Sequence, residues 1–300
     1  MSEPCVFIVI LNTNRKQDTL EALASIFAGA YKNLQVIVLD NQSTDGSVEA
    51  VRAGYPQVQL LNLEKNLGYA GNNNVGIEAA MQQGADWVLV LNEDTILDPD
   101  CLTRLVEAGE ADELTGIVGP LVYHHNEPEV IQSAGVWLDS VWRSIHIGQN
   151  EPDRGQYTDP RQVDAISGCA ILVRRQVIEQ VGSLDERFFY YWEETEWCVR
   201  ARKAGWRVVH VPKAKLWHKG VQRDYKPSLS VSYYNTRNRF LLLSKHKAPL
   251  RAWAFAYFET LRSLMSMSVR RKWRDQLKNR DAMFQGFRDA LRGRWGKKAG

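Results

Sequence analysis

At 300 residues with 44% hydrophobic content, the chain has enough apolar mass for one large globular core, which excludes a disordered or collagen-like polypeptide. Met1–Cys5 lacks the basic and long apolar regions of a secretory signal, no uncharged stretch reaches the ~18 residues of a spanning helix, and Cys5, Cys101, Cys169 and Cys198 lie far apart without a Cys-x-x-Cys pair. The expectation is a cytoplasmic protein with reduced thiols. Its net charge of +3 hides a division: residues 219–300 carry 20 Lys and Arg against 5 Asp and Glu, net +15, and the first 218 carry 18 against 30, net −12.

In chain order, apolar runs alternate with helical patterns: Val6–Leu11 then Asp18–Ala30, Gln35–Asp40 then Ser47–Ala53, Val58–Leu63 then Ala70–Gln83, and Trp87–Leu91. Strands separated by helix-length segments imply βαβ units, hence an α/β protein whose mainly parallel sheet is covered by helices on both faces. In such sheets ligands gather beyond the carboxyl ends of the strands. The ends here are chemically alike: Leu11 runs into Asn12-Thr13-Asn14, Leu39 into Asp40-Asn41, Leu63 into the Asn66-Leu67-Gly68 loop, and Leu91 into Asn92-Glu93-Asp94. Beyond residue 116 the pattern loosens, with β-like runs at Ile117–Tyr123, Ala134–Leu138, Val163–Arg174 and Arg207–Pro212 and helices at Arg175–Val181 and Glu193–Lys203. The Pro/Gly/Asp-rich stretch from Gly148 to Pro160 is too long for a simple connection and is expected to be mobile or a lid. From Ser228 onward the chain is helical and basic, with Leu250, Trp253, Ala254, Tyr257, Phe258, Leu261, Leu264 and Met265 on one apolar face and Trp273, Leu277, Phe284, Phe287, Leu291 and Trp295 on another. The organisation expected is one α/β domain over 1–228, regular to about 115 and looser from 116, followed by a helical extension over 229–300.

A strand that ends in carboxylates is costly unless they are solvated, paired or metal-bound, and a hard oxygen donor at Asp94 suits Mg²⁺ or Mn²⁺ held against a diphosphate. The alternative is a polar turn before the helix that Pro99 opens. Asp40 to Ser47 reads as a helix N-cap region or as a site where Asp40 bonds a base or ribose. Asn66 to Gly76 holds more Gly and Asn than a helix start needs, favouring close approach of a ligand to backbone, yet lacks the spacing of a dinucleotide fingerprint or a P-loop. The acidic cluster Glu193-Glu194-Thr195-Glu196 opens a helix, where the dipole alone favours carboxylates. The aromatics before it serve as core or as sugar-stacking faces.

Together, Val36–Ser47, the Asn66–Gly76 loop, Leu91-Asn92-Glu93-Asp94-Thr95, Ser167-Gly168-Cys169-Ala170, Phe188–Ala201 and Leu216-Trp217-His218-Lys219-Gly220 resemble, in this order, the inverting glycosyltransferases of family 2, particularly bacterial rhamnosyltransferase-like members. The likeness spans roughly residues 5 to 245. It implies a GT-A fold, a nucleotide-sugar donor and Mg²⁺ or Mn²⁺. By position, Asn92-Glu93-Asp94 occupies the family's Asp-x-Asp slot, with Asn92 in place of the first Asp and Asp94 as metal ligand; Asp40 and Asn41, with Thr13 and Asn14, match nucleoside-binding positions, as Asn66, Gly68 and Asn74 match the loop beneath the nucleotide. His218 falls where the family often supplies a second metal contact. Glu193 and Glu194 align with its Glu-Asp pair, making Glu194 the expected base and Glu193 the alternative, while Tyr191 and Trp192 are expected at the acceptor. The resemblance favours dTDP-rhamnose, or a UDP-sugar, and a glycan or lipid-linked acceptor of the cell envelope. The basic tail is then expected to meet anionic lipid at the inner face of the membrane and not nucleic acid. Two other classes fit less well: a sugar-phosphate nucleotidyltransferase, for which the Gly-rich basic loop is missing, and a non-catalytic nucleic-acid-binding protein, against which the acidic body stands.

Overall fold

The computed structural model describes residues 3–220, 222, 223 and 225–299. The first half alternates as expected: β1 (Val6–Asn12), α1 (Lys16–Ala28), β2 (Leu34–Asp40), α2 (Ser47–Gly54), β3 (Gln59–Asn62), α3 (Gly68–Gln82) and β4 (Trp87–Asn92), with β3, β2, β1 and β4 adjacent and parallel. Successive residues of β1 point to opposite faces, and both are covered. Ile8 and Ile10 join Leu23, Val38, Leu89 and Leu91 on one side; Phe7 and Val9 join Ile37, Leu39, Ile77 and Val88 on the other. Burial on both faces is why these strands read as continuous apolar runs, each Val, Leu or Ile contributing roughly 1.5–3 kcal/mol.

Next come β5 (Thr95–Leu97), α4 (Cys101–Glu110), β6 (Thr115–His124), β7 (Glu127–Ser133), β8 (Val136–Leu138), β9 (Ser144–His146), β10 (Arg161–Gln162), β11 (Ala170–Arg174), α5 (Arg175–Val181), α6 (Glu193–Lys203) and β12 (Arg207–His218). β11 inserts antiparallel between β4 and β6, and β12 continues parallel to β6. Because β11 runs backwards, its start, not its end, meets the rim formed by the ends of β1, β2, β4, β6 and β12. The expected strand at Val163–Arg174 is thus only its last five residues, the rest forming the turn that reaches that rim.

The 148–160 stretch is not a detached lid. Ile131 N–H donates to Glu151 O at 2.9 Å, Asp153 N–H to Glu129 O at 2.8 Å, and Tyr123 O–H to Asp153 at 2.5 Å, so it runs along β7 as an irregular added edge.

The C-terminal helices are α7 (Leu229–Lys245), α8 (Leu250–Val269) and α9 (Leu277–Leu291). Ser228 Oγ caps α7 by accepting Val231 N–H at 3.3 Å. The apolar face expected along α8 divides in two. Ala252 and Ala256 pack with Phe240, Leu243 and Phe287, and Trp253 and Tyr257 close that cluster. Leu250, Phe258, Leu261, Met265 and Val269 point outward, 86, 61, 48, 63 and 79% exposed. The helix is apolar on more than one side, which the linear pattern merged into a single face.

Candidate functional site

Register builds the first half of the rim. Asn12 stands opposite Asp40, Leu11 opposite Asn92, and Asp40 opposite Asn62. Buried amides and carboxylates so placed must find partners. Asn12 Nδ2 donates to Asp40 Oδ1 and Ser47 Oγ, each at 2.8 Å, and Ser43 N–H donates to Asp40 Oδ2 at 3.0 Å. Thr13 Oγ1 accepts from Asn41 Nδ2 at 3.2 Å, and Asn14, left-handed at φ 52°, accepts Thr44 N–H at 2.8 Å. Asn41 Oδ1 is buried with no hydrogen-bond partner among the described residues, an acceptor open to a donor on a ligand.

The Asn66–Gly76 loop is held by its own amides. Asn66 Oδ1 accepts Gly68 N–H at 2.8 Å; Gly68 itself is left-handed at φ 79°, and a Cβ there would strike Phe189 O and its ring. Asn74 lies farther along α3, donating to Leu184 O at 2.9 Å and accepting Leu184 N–H at 3.0 Å, so its amide fastens α3 to the segment leading into the aromatic run.

The short strand β5 brings the Asp94 and His218 side chains together. It pairs antiparallel with β12 so that Thr95 faces His218, and Lys219 N–H donates to Asp94 O at 2.9 Å. His218 Nε2 then lies 3.2 Å from Asp94 Oδ1, both side chains nearly buried. His218 Nδ1 is 3.0 Å from Gln132 Oε1, which accepts its proton; in the neutral ring this leaves the Nε2 lone pair aimed at a carboxylate oxygen. Two Lewis bases converging in this way suit a shared cation. When the ring is instead protonated, Nε2–H donates to Asp94; burial raises the Asp94 pKa, but that hydrogen bond and charge, with the Arg15 charge, more than offset this and hold it below the usual carboxylate range. Gly220 forms the wall: a Cβ there would run into Asp94 Oδ2 and lie 3.2 Å from His218 Nε2. Among the described residues no three His, Cys, Asp or Glu side chains gather into a full metal shell. An Asp oxygen and a His nitrogen on an open cradle could hold a divalent cation that phosphate oxygens and water would complete.

Opposite this pair, across the turn Ser167-Gly168-Cys169, stand the acidic residues of α6. Tyr69 O–H donates to Gly168 O at 2.8 Å and lies 3.1 Å from Asn92 Oδ1, tying α3 to β4 and to that turn. A Cβ at Gly168 would sit 3.1 Å from Glu194 Cγ, so the glycine admits the Glu194 side chain to the turn. Burial pushes the Cys169 thiol up to about 12, the Ser167 hydrogen bond opposes this, and the negative charges of Asp94 and Glu194 both add to it, so both carboxylates lie within electrostatic reach of one thiol. Glu193 is 3% exposed, its Oε2 unpartnered among the described residues, and burial and the Glu194 charge push its pKa far up. Glu194 is half-buried, and burial outweighs its backbone and Thr195 hydrogen bonds to raise its pKa also. Glu93 rises to about 7 through burial and the adjacent Asp94 charge.

A family model described as Glycosyl transferase family 2 matches residues 6–182. An N-acetylglucosaminyl-diphospho-decaprenol L-rhamnosyltransferase of Mycobacterium tuberculosis is 32% identical over 282 residues, 85% of this chain and 91% of that protein. The chain belongs to glycosyl transferase family 2. A dTDP-rhamnosyl transferase RfbF of Shigella flexneri is 27% identical, with 82% of each chain covered. Among solved structures, a mannosyltransferase from Pyrobaculum calidifontis in complex with GDP-Man and Mn²⁺ superposes with TM-score 0.60 at 16% identity over 97% of this chain and 88% of that one. GalNAc-T7 with UDP, GalNAc and Mn²⁺ gives 0.66 at 14% identity over 96% and 56%. The fold of this family 2 transferase is GT-A. Membership in the family sets aside the nucleotidyltransferase reading and that of a non-catalytic protein.

In the transferase, the expected acceptor aromatics are largely committed to packing. Trp192 sits with Phe188, Leu241 and Leu242, and Tyr191 with Tyr233 and Tyr234; Tyr190, at 37% exposure, is the open face, its ring 6.4 Å from that of Tyr69. Sequence reasoning passed over Tyr69, Gly220 and Arg15. The first two lie inside quoted motifs, and their roles follow only from strand register. Arg15 is a cation one residue past the polar end of β1, where its charge reaches Glu93 and Asp94.

Proposed function

We propose that this family 2 transferase is an inverting, divalent-cation-dependent enzyme that moves a sugar, rhamnose from dTDP-rhamnose or the glycosyl unit of a UDP-sugar, onto a hydroxyl of a lipid-linked cell-envelope glycan. The observation that carries the reading is the Asp94–His218 pair, Nε2 to Oδ1 3.2 Å, standing across the Gly168 turn from Glu194. Asp94 and His218 would hold Mg²⁺ or Mn²⁺. When bound, the ion offsets the negative charge that grows on the leaving diphosphate. Thr13, Asn14, Asp40 and Asn41 receive the nucleoside, the open Asn41 oxygen offering an acceptor to the base; Asn66 and Gly68 shape the loop beneath it, with Asn92 and Glu93 beside the donor.

In the transfer, the acceptor oxygen forms a bond to the anomeric carbon as the bond from that carbon to the phosphate oxygen breaks. The nucleoside diphosphate leaves with the electron pair, and the acceptor proton passes to a Glu194 oxygen. A carboxylate whose pKa is raised by burial is the stronger base, and burial with the Glu194 charge raises Glu193 beside it as well.

A thermal-shift screen of nucleotide sugars with and without Mn²⁺, followed by transfer assays of Asp94→Asn and Glu194→Gln, tests this. Cation-dependent stabilisation by one donor, with both variants folded and inactive, is expected. Near-normal transfer by Asp94→Asn removes the metal role, and a dead Glu193→Gln beside an active Glu194→Gln moves the base by one residue.

The reading also places the protein at the cytoplasmic face of the cell membrane, as a peripheral protein. Among the described residues no helix is long and apolar enough to cross a membrane. Support comes from the outward Leu250, Phe258, Leu261, Met265 and Val269 of α8, flanked by exposed Arg251, Arg262 and Arg270, and from the +15 charge of residues 219–300. The relative in M. tuberculosis is named for a decaprenol-linked substrate. The double substitution Phe258→Ser, Met265→Ser is expected to abolish co-sedimentation with phosphatidylglycerol vesicles. Equal binding to neutral vesicles, or none by the wild type, contradicts it.

A further inference from the structure

The aromatic run before the acidic pair has a backbone that its residues resist. Phe189, Tyr191 and Trp192 have φ of 63, 71 and 76°, all in the left-handed region, where a bulky side chain crowds the backbone. Such a backbone persists only where its surroundings hold it.

The holding groups come from α7. Asn238, 0% exposed, donates through Nδ2 to Phe188 O at 2.7 Å and to Tyr190 O and Tyr191 O at 2.9 Å each; its Oδ1 accepts from Arg237 Nε at 2.9 Å. Arg237, 1% exposed, donates to Phe188 O at 3.0 Å, to Arg187 O at 3.2 Å and to Gly296 O at 2.6 Å. The carbonyl between these, Phe189 O, turns the other way and accepts Ala70 N–H at 3.4 Å, beside Gly68. The turn thus sends the carbonyls of Phe188, Tyr190 and Tyr191 to α7 and that of Phe189 to the start of α3. Trp192 O then accepts Glu196 N–H at 2.8 Å, which launches α6 with Glu193 and Glu194 in its first turn.

We propose that Arg237 and Asn238 are positioning residues that fix the strained 188–192 turn, and through it hold Glu194 at the Gly168 turn in register with the donor loop at Gly68. This rests on the reading of Glu194 as base. The helical extension is therefore part of the reaction machinery as well as a surface. Because both side chains are buried beneath the turn, their loss acts on the reacting geometry more than on donor binding. An error of about 1 Å at the base lowers turnover by about 100-fold.

The test measures kcat, the KM for donor and direct nucleotide binding on the full chain for wild type, Asn238→Ala, Arg237→Lys and Glu194→Gln. Asn238→Ala is expected to fold and bind nucleotide as wild type does, with KM within about 3-fold and kcat down about 10- to 100-fold. Arg237→Lys retains charge and one donor, so it falls between the two. A lowered Tm with kcat unchanged at a temperature where the variant is fully folded overturns the proposal, leaving the pair as structural support only. If Asn238→Ala does not fold, Arg237→Lys carries the same comparison. A fully active Glu194→Gln removes the reading of the base, whereas a dead Glu194→Gln beside a normal Asn238→Ala removes only the positioning role.

Discussion

Gly220→Ala separates stability from activity in one substitution. Gly220 does not sit in the left-handed region, so alanine is tolerated by the backbone and gains about 0.4–1 kcal/mol from a more restricted unfolded chain. Its Cβ, however, falls well inside contact with Asp94 Oδ2 and 3.2 Å from His218 Nε2. The Asp94 backbone cannot retreat, because its carbonyl is bound by Lys219 N–H at 2.9 Å and Thr95 is paired with His218. The carboxylate must swing by about 1 Å, enough to lower transfer about 100-fold, or ~2.7 kcal/mol of barrier. The gain and the displacement leave net stability within about 1 kcal/mol, a few degrees in Tm. Calorimetry and a Mn²⁺-dependent transfer assay on the same preparation decide the matter: a Tm near wild type with turnover down about 100-fold and a raised Mn²⁺ requirement is expected. Unchanged turnover and Mn²⁺ dependence would refute the cradle.

Gly68→Ala places a Cβ at φ 79° against Phe189 O, so it is expected to lower Tm and donor affinity together, measured by melting and nucleotide titration. Glu196 is buried, which raises its pKa, yet hydrogen bonds and charge from His246, Arg200 and Lys245 hold it at about 2. A depressed carboxylate adds stability above its unfolded value of ~4.3 and loses it as the pH falls toward the folded value, so Glu196→Gln should be less stable than wild type by on the order of 3 kcal/mol at pH 7, a gap that narrows through pH 4 to 2; urea melts across that range measure it. Transfer is also lost as the pH falls: with the Glu194 pKa raised, the acid limb of kcat should lie above the ordinary carboxylate value, and an acid limb at or below that value contradicts Glu194 as the base.

The βαβ half was legible because both faces of its strands are buried, giving continuous apolar runs whose polar ends mark the rim. The bounds of α5 and α6 could be read from the sequence alone, the latter from its first-turn acids and the glycine beyond its end. What could not be read depends on partners distant in the chain. β5 is three residues long, without periodicity of its own, and exists because Leu216, Trp217 and His218 pair with it. The 148–160 segment has loop composition, and its contacts with β7 are backbone hydrogen bonds that carry no side-chain signal. Arg237 and Asn238 lie in a helix whose composition is basic, and only the carbonyls of a loop 50 residues away explain their burial.

The most direct measurement is a calorimetric titration of Mn²⁺ in the presence of dTDP or UDP on wild type, Asp94→Asn and Glu194→Gln, with turnover recorded on the same samples. The account predicts nucleotide-dependent Mn²⁺ binding by wild type and Glu194→Gln, its loss in Asp94→Asn, and turnover only in wild type. Mn²⁺ binding by Asp94→Asn equal to wild type, or transfer by Glu194→Gln at the wild-type rate, contradicts it.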